Sequence, residues 1–438
     1  MKRIFAILLL LCLLGGTLTV FSSCARDESD KTITLYVYNW GEYISDGSED
    51  SLDVNKAFEE YCREVLGKNV KVNYSTFSSN EDMYAKVKSG AAVYDVIIPS
   101  DYMIQRMISE DMLLPLTIGN IPNYVYISND FKGENVYYEP QDGNIYSVPY
   151  FYGQVGIIYN TEMVPEDTET LGSWDLMWDE GFKGEILQFN NNRDAFGTAL
   201  YKLGYSVNDT ENAGHWQEAL ELLKDQKKLV QGYVMDEVFY KMKSGSAAIA
   251  AYYAGDFFTM YEENDALAFY YPEEGTNRYF DAMCIPKNAA ELHGDKVMEL
   301  AYEYVNFMCR PDIACANASY TYYASPLDFD YIEEEGNEDY LAAVEEYYEA
   351  MEEVHEDAIE ILYGETAMSV PTEPYLNLSP EGLEQLNKLW EELKVESTIG
   401  LDIYITCGII LAGLLALAIY RFVRKRRHAK LTESLWQD

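Results

Sequence analysis

Several shortages in this sequence exclude whole classes of function. Basic residues are few: 32 Lys and Arg stand against 74 Asp and Glu, a formal net charge of −42. Such a surface repels nucleic acid and favours encounter with cations, so nucleic acid is not expected as a partner. Histidines are only four, His215, His293, His355 and His428, and lie far apart. Of seven cysteines, Cys12, Cys24 and Cys407 fall in terminal segments. The remaining Cys62, Cys284, Cys309 and Cys315 have no metal-site spacing, so buried free thiols are expected, with no metal, cofactor or disulfide scaffold. Only Cys309 and Cys315 are near enough in sequence to bridge. The chain also lacks a nucleophile elbow, an HExxH pair and a glycine-rich phosphate loop. A hydrolase working through two carboxylates is the one enzymatic reading left, and turnover of a glycoside or peptide would reveal it.

Aromatic residues, by contrast, are abundant: they make up 14% of the chain, with 39 tyrosines. One core does not need so many amphipathic rings, so some are expected to line a surface or cleft. At 438 residues the chain is long enough for two or three domains or lobes.

The termini carry targeting signals. Residues 1–23 read as a signal peptide, with Lys2-Arg3, an apolar run from Ile4 to Leu14 and small residues before Cys24. Ser22-Ser23-Cys24 resembles a bacterial lipobox, from which Phe21 departs, and the resemblance implies lipidation of Cys24. Residues 24–31 read as a tether. The uncharged stretch 403–420 is followed by Arg421, Arg424, Lys425, Arg426 and Arg427, which predicts a transmembrane helix with the tail 421–438 in the cytoplasm.

Between these ends the pattern alternates strand and helix. An alternating strand, Thr32 to Val37, runs into Tyr38-Asn39-Trp40-Gly41-Glu42-Tyr43, which places rings and a carboxylate at a strand's carboxyl end. Open α/β sheets bind ligands at that edge. A helix follows, with Val54, Ala57, Phe58, Tyr61, Cys62 and Val65 on one face, then a strand from Val70 to Thr76. Ser79 is placed to cap the next helix, residues 94–99 read as a buried strand, and Ser100-Asp101-Tyr102 opens a further helix at the same edge. A second series starts near residue 148, with a strand running to Asn160, strands at 185–189, 247–253, 267–271 and 278–285, and helices between them. Residues 329–362 are densely acidic and read as solvated helices, and Ser379-Pro380 starts a last helix with Leu383, Leu386, Trp390 and Leu393 inward. The predicted architecture is α/β, two lobes joined by more than one crossing. Lobe 1 comprises 32–147 and 281–322, lobe 2 comprises 148–280 and 323–396.

From about Leu35 to Pro326 the sequence resembles the bacterial spermidine/putrescine-binding proteins, solute receptors of polyamine ABC importers. The stretches that carry the resemblance are Tyr38 to Tyr43, Ser75 to Lys86, Tyr94 to Tyr102, Lys202-Leu203-Gly204-Tyr205-Ser206 and Phe307 to Asp312. The resemblance implies a two-lobed fold of the type II periplasmic-binding-protein class that closes by hinge motion. It implies a polyamine as ligand, permease and ATPase subunits as partners, and a place on the outer face of the cytoplasmic membrane. Residue by residue it implies an aromatic box of Trp40, Tyr43, Tyr102, Tyr253, Tyr279 and Tyr323, with Gly41 and Glu42 beside it, a polar contact at Ser100, and amine-binding acids at Asp194 and Asp281. A second family acid falls on Asn191, which carries no charge, and two family tryptophans are Tyr253 and Tyr279. Tyr253-Ala254-Gly255-Asp256 resembles the aromatic-x-x-Asp of putrescine receptors and implies a replacement carboxylate at Asp256. A late glutamine of the spermidine site has no clear counterpart, Tyr375 being the nearest.

The chemistry supports the same choice. A polyamine is a methylene chain with ammonium groups at fixed spacing, so a selective site needs carboxylates at that spacing and flat apolar walls between. Aromatic faces bury methylenes and attract cations by about 0.5 to 2 kcal/mol each, and desolvated ammonium groups require charged partners. A ferric-ion or other cation receptor of the same fold is the alternative, which Tyr252-Tyr253 and Tyr322-Tyr323 would serve as paired ligands.

Overall fold

The computed structural model describes residues 32–48 and 50–395. The signal peptide, the whole tether 24–31 with Cys24, and the segments 403–420 and 421–438 lie outside the described residues. No helix among the described residues is long and apolar enough to cross a membrane.

Ten strands form one connected sheet system: β1 (Ile33–Trp40), β2 (Val70–Phe77), β3 (Val96–Ile97), β4 (Ser147–Asn160), β5 (Ile186–Phe189), β6 (Val230–Val234), β7 (Ile249–Tyr253), β8 (Leu267–Tyr270), β9 (Thr276–Cys284) and β10 (Thr372–Glu373). The order is β2-β1-β3-β9-β4-β7-β5-β6, with β10 on β9 and β8 on β4. β1 is parallel to β2 from Ile33↔Val70 to Trp40↔Phe77 and to β3 through Val37↔Val96, so these strands end at one edge. β5 is likewise parallel to β6 and β7. Helices follow these carboxyl ends: Asn80–Lys88 after β2, Asp101–Ser109 after β3, Asn192–Leu203 after β5 and Ala254–Tyr261 after β7. Leu35, Val37, Ile186, Leu187 and Ile249 are all fully buried, as strands covered by helices on both faces must be.

Two strands tie the two α/β groups together. β4 runs antiparallel along β9 from Ser147↔Cys284 to Gln154↔Arg278 and then along β7 from Val155↔Tyr253 to Tyr159↔Ile249. All but one of its residues are buried, which fits its mostly apolar sequence, and Nε2 of the buried Gln154 in its middle donates to Ala367 O at 2.7 Å. Its register shifts between Pro149 and Phe151, where a proline cannot donate to the ladder. At that bulge the Tyr150 hydroxyl donates to the Tyr43 carbonyl at 2.7 Å.

The structure refines the sequence reading in three places. The strand expected over 94–99 narrows to Val96–Ile97, although Asp95 N and Ile98 N still bond Tyr36 O and Tyr38 O. The acidic stretch forms helices Phe329–Glu335, Glu338–Val354 and Ala358–Tyr363 whose inner faces bury Ile332, Tyr347, Met351 and Leu362. Acidic residues cover only their outer faces. The short strands β6 and β10 do not figure in the sequence reading. Cys62, Cys284, Cys309 and Cys315 are free and buried.

Candidate ligand-binding cleft

The helix starts and strand ends of both α/β groups face one cleft, which contains about 900 Å³ of space not filled by atoms, its open mouth included. All thirteen residues singled out from the sequence line it, as does Tyr375.

From β1 come Trp40, packed on Phe77 at 4.5 Å between centroids, and the turn Gly41-Glu42, where Glu42 takes a left-handed φ of 48°. Tyr43 follows, edge-on to Tyr323 at 4.6 Å and to Phe151 at 5.2 Å. Ser100 precedes the helix Asp101–Ser109 and makes no cap bond with its side chain. Its Oγ donates instead to Asp281 Oδ1 at 2.6 Å, while Asn80 Nδ2 donates to Ser100 Oγ at 3.0 Å. Asp281 lies on β9 with Tyr279 and Asn277, positions that share a strand face by the two-residue period. The Tyr43 hydroxyl donates to Asp281 Oδ2 at 2.7 Å, so both oxygens of this carboxylate are held.

The other wall is built at the start of the helix Asn192–Leu203. Asn191 is its N-cap, accepting from Asp194 N at 2.8 Å and donating to Asp194 Oδ2 at 2.6 Å. Tyr253 at the end of β7 donates to the same Oδ2 at 2.8 Å, and its ring stands edge-on to Tyr279 at 5.3 Å. Asp256 sits in the first turn of Ala254–Tyr261 and lines the cleft together with Tyr323. Asn191 thus acts by orienting Asp194.

Several cleft residues are missing from the sequence reading. Arg193 is buried, with its guanidinium carbon 4.5 Å from the Tyr375 ring and 5.4 Å from the Tyr102 ring, and its Nη1 has no bonding partner among the described residues. Glu81 accepts from the Tyr102 hydroxyl at 3.1 Å. Asp101 is fully buried and accepts from Tyr102 N, Phe280 N and the Tyr137 hydroxyl, which ties this helix start to β9. Phe239 and Asp236 approach from the far wall. An Arg beside Asp194 at a helix start and acids at first-turn positions were the available signals. Of the paired tyrosines, Tyr322 turns away from the cleft lining and its hydroxyl donates to Glu262 Oε1 at 2.8 Å.

Burial dominates the electrostatics. Desolvation pushes Asp281 up to about 6 against the hydrogen bonds of Ser100 and Tyr43, and pushes Asp256 up to about 8, with Asp236 and Glu42 adding to the rise. Asp194 is also raised by burial, against its bonds to Asn191, Tyr253 and Tyr375. Asp281 and Asp256 are 4% and 6% exposed, and among the described residues neither is ion-paired with a basic side chain. A cation placed between them would restore both to the charged form. No group of three or more His, Cys, Asp or Glu among the described residues is arranged to hold a metal ion.

Comparison with known proteins points to solute-binding proteins. Residues 91–342 match the family described as bacterial extracellular solute-binding protein. The chain is 30% identical over 315 residues to the spermidine/putrescine-binding periplasmic protein of Salmonella typhimurium, covering 72% of this chain and 83% of the relative. It is 28% identical to a putrescine-binding periplasmic protein of Pseudomonas aeruginosa, covering 72% and 82%. Among solved structures, the spermidine/putrescine ABC transporter substrate-binding protein of Streptococcus pneumoniae superposes with a TM-score of 0.62 at 31% identity, covering 83% of this chain and 98% of that one.

Proposed function

The chain belongs to the bacterial extracellular solute-binding proteins, and on that footing we propose that it is the receptor of a polyamine ABC importer, holding putrescine or spermidine between its lobes without altering it. Its relatives are transport proteins and not enzymes. One observation carries the ligand class: Asp281 and Asp256 are buried acids that have no basic partner among the described residues, in a cleft walled by tyrosines and Trp40. Leaving such groups uncompensated is costly, and a ligand with spaced ammonium groups supplies the missing charge while its methylenes lie on the rings. The site consists of Trp40, Gly41, Glu42, Tyr43, Ser100, Tyr102, Asn191, Asp194, Tyr253, Asp256, Tyr279, Asp281 and Tyr323. Asp281 takes one terminal ammonium and Asp256 a second.

The lobes divide as 32–147 with 281–322 and 148–280 with 323–396, and close by hinge motion. The receptor is exported, lipidated at Cys24 and anchored by a helix over 403–420, beside a permease and its ATPase. The test of the ligand class is thermal unfolding of the chain with and without polyamine. A ligand at 100 times its dissociation constant adds about 2.7 kcal/mol. Both amines at millimolar concentration leaving the melting temperature unchanged would refute the assignment.

A further inference from the structure

A contact outside the cleft lining also joins the two α/β groups. The helix Pro311–Thr321 is fixed to the first group: Ser45 N donates to Asn317 Oδ1 at 3.0 Å, and the Ser48 and Tyr320 hydroxyls share a hydrogen bond of 2.6 Å. Its C-cap is Tyr322, at φ 60° and ψ 19°, whose N–H donates to Ala318 O at 2.8 Å. A helix that ends in this left-handed turn ordinarily does so on glycine or asparagine. Among the described residues three other non-glycine positions have a positive φ, Glu42, Asp50 and Asp111, and none of them carries a ring. For a bulky side chain the turn is sterically costly and persists only where neighbours hold it.

The neighbours that hold it belong to the second group. The Tyr322 hydroxyl donates to Glu262 Oε1 at 2.8 Å, and its ring stands edge-on to Phe258 at 6.2 Å between centroids. Glu262 is the C-cap of the helix Ala254–Tyr261, whose first turn carries Asp256. The next residue, Tyr323, lies over the start of the same helix, where a Cβ on Gly255 would stand 2.8 Å from its Cδ2. Gly255, Phe258 and Glu262 follow the helical repeat along one face. Two consecutive tyrosines therefore grip this helix at both ends, Tyr323 from within the cleft and Tyr322 from outside it. The two groups also meet across the cleft, where the Arg193 guanidinium carbon stands 5.4 Å from the Tyr102 ring and Asn377 N donates to Gln105 Oε1 at 2.8 Å.

We infer that Tyr322 and Glu262 form a latch between the lobes, made when they close and broken when they part, that sets how long a bound polyamine is retained. The inference rests on the polyamine reading above. Neither residue lines the cleft, so Tyr322 is a positioning residue that acts through the helix bearing Asp256. Once the latch is broken its backbone is free to leave the left-handed turn, and hinges use such element-terminal positions to absorb a change of φ and ψ.

The test is calorimetric titration of the purified full-length chain with putrescine, together with stopped-flow measurement of association and dissociation. Tyr322→Phe, which keeps the ring and loses the hydroxyl, and Glu262→Ala are each expected to weaken binding at least threefold. The bond lies at the surface, so the effect is smaller than for a buried pair. The loss is expected in the dissociation rate, with association within twofold of wild type. The double variant is expected to bind no more than twofold more weakly than the weaker single one, the mark of one shared interaction. Folded single variants that both bind within threefold of wild type overturn the latch, as do losses that multiply in the double variant. If the wild type binds neither putrescine nor spermidine, the polyamine reading fails, and hydrogen exchange of the ligand-free chain decides the latch. The amides of residues 322–325 are then expected to exchange at least threefold faster in Tyr322→Phe, and an unchanged rate overturns it.

Discussion

At the scale of single residues, the cleft is a set of carboxylates kept from water by tyrosines. Asp281 is held at both oxygens by Ser100 and Tyr43. Losing one member of a desolvated charge pair costs about 2 to 5 kcal/mol, so Asp281→Asn is expected to weaken polyamine binding at least thirtyfold in calorimetry. Asp256→Ser is expected to weaken putrescine more than spermidine, and equal losses would count against an ammonium at Asp256. The raised acids also predict a proton balance. At about 8, Asp256 is mostly protonated at pH 7 in the ligand-free protein, and an ammonium beside it favours the carboxylate, so binding releases a proton. Affinity accordingly rises with pH through the range 6 to 8. Without ligand the sign for stability is opposite: pKa values above the unfolded 3.9 favour the fold at low pH, and this contribution is lost progressively as pH rises from about 4, up to about 6 for Asp281 and about 8 for Asp256. Titration at pH 7 in two buffers of different ionisation enthalpy reads the released proton directly; identical heats would show that Asp256 is already ionised.

At the scale of elements, β9 and β4 place the groups that matter. Gly153 on β4 lies under Tyr279, and a Cβ there would stand 2.5 Å from the hydroxyl and 2.9 Å from Cζ. Gly153→Ala therefore displaces a ring of the ligand wall, and polyamine affinity is expected to fall at least tenfold with a lower melting temperature; affinity within twofold of wild type would refute the packing argument. The sequence made much of this level legible. Ser79 caps its helix by accepting from Asp82 N, as its position suggested, and Asp53 does the same for Lys56 N. Trp40, Tyr43 and Ser100 were recognisable because strand ends and helix starts fall at one edge of a parallel sheet. Arg193, Glu81 and Asp101 escaped notice because their meaning depends on partners distant in sequence: Arg193 lies on Tyr375, and Asp101 accepts from Phe280 N. The same holds for the bulge at Pro149, whose purpose appears only when Tyr150 is seen reaching Tyr43.

At the scale of the whole molecule, the acidic balance and the proposed anchors act together. Cations gather at a surface carrying a formal charge of −42, and a receptor held beside its permease works at high local concentration. A lipid chain alone binds a membrane reversibly, whereas a spanning helix does so permanently. Protease added to intact spheroplasts is expected to digest the folded domain and to spare a tag placed after Asp438. Digestion of that tag, or release of the full-length protein by salt alone, would refute the topology.

The ribbon formed by β4 and β9 has a further consequence for how such a molecule moves. Because β4 passes unbroken from its ladder with β9 to its ladder with β7, the lobes can swing by a change of twist, for which two-stranded ribbons have the widest latitude. No backbone bond need open. If the lobes close in this way, the amides of the hinge are expected to stay shielded from solvent deuterium whether the cleft is empty or filled, while those of residues 371–378 and of the turn after Trp40 change their exchange with ligand. The pivot is then expected to be the part most silent to isotope labelling, with the motion legible at the rim it moves.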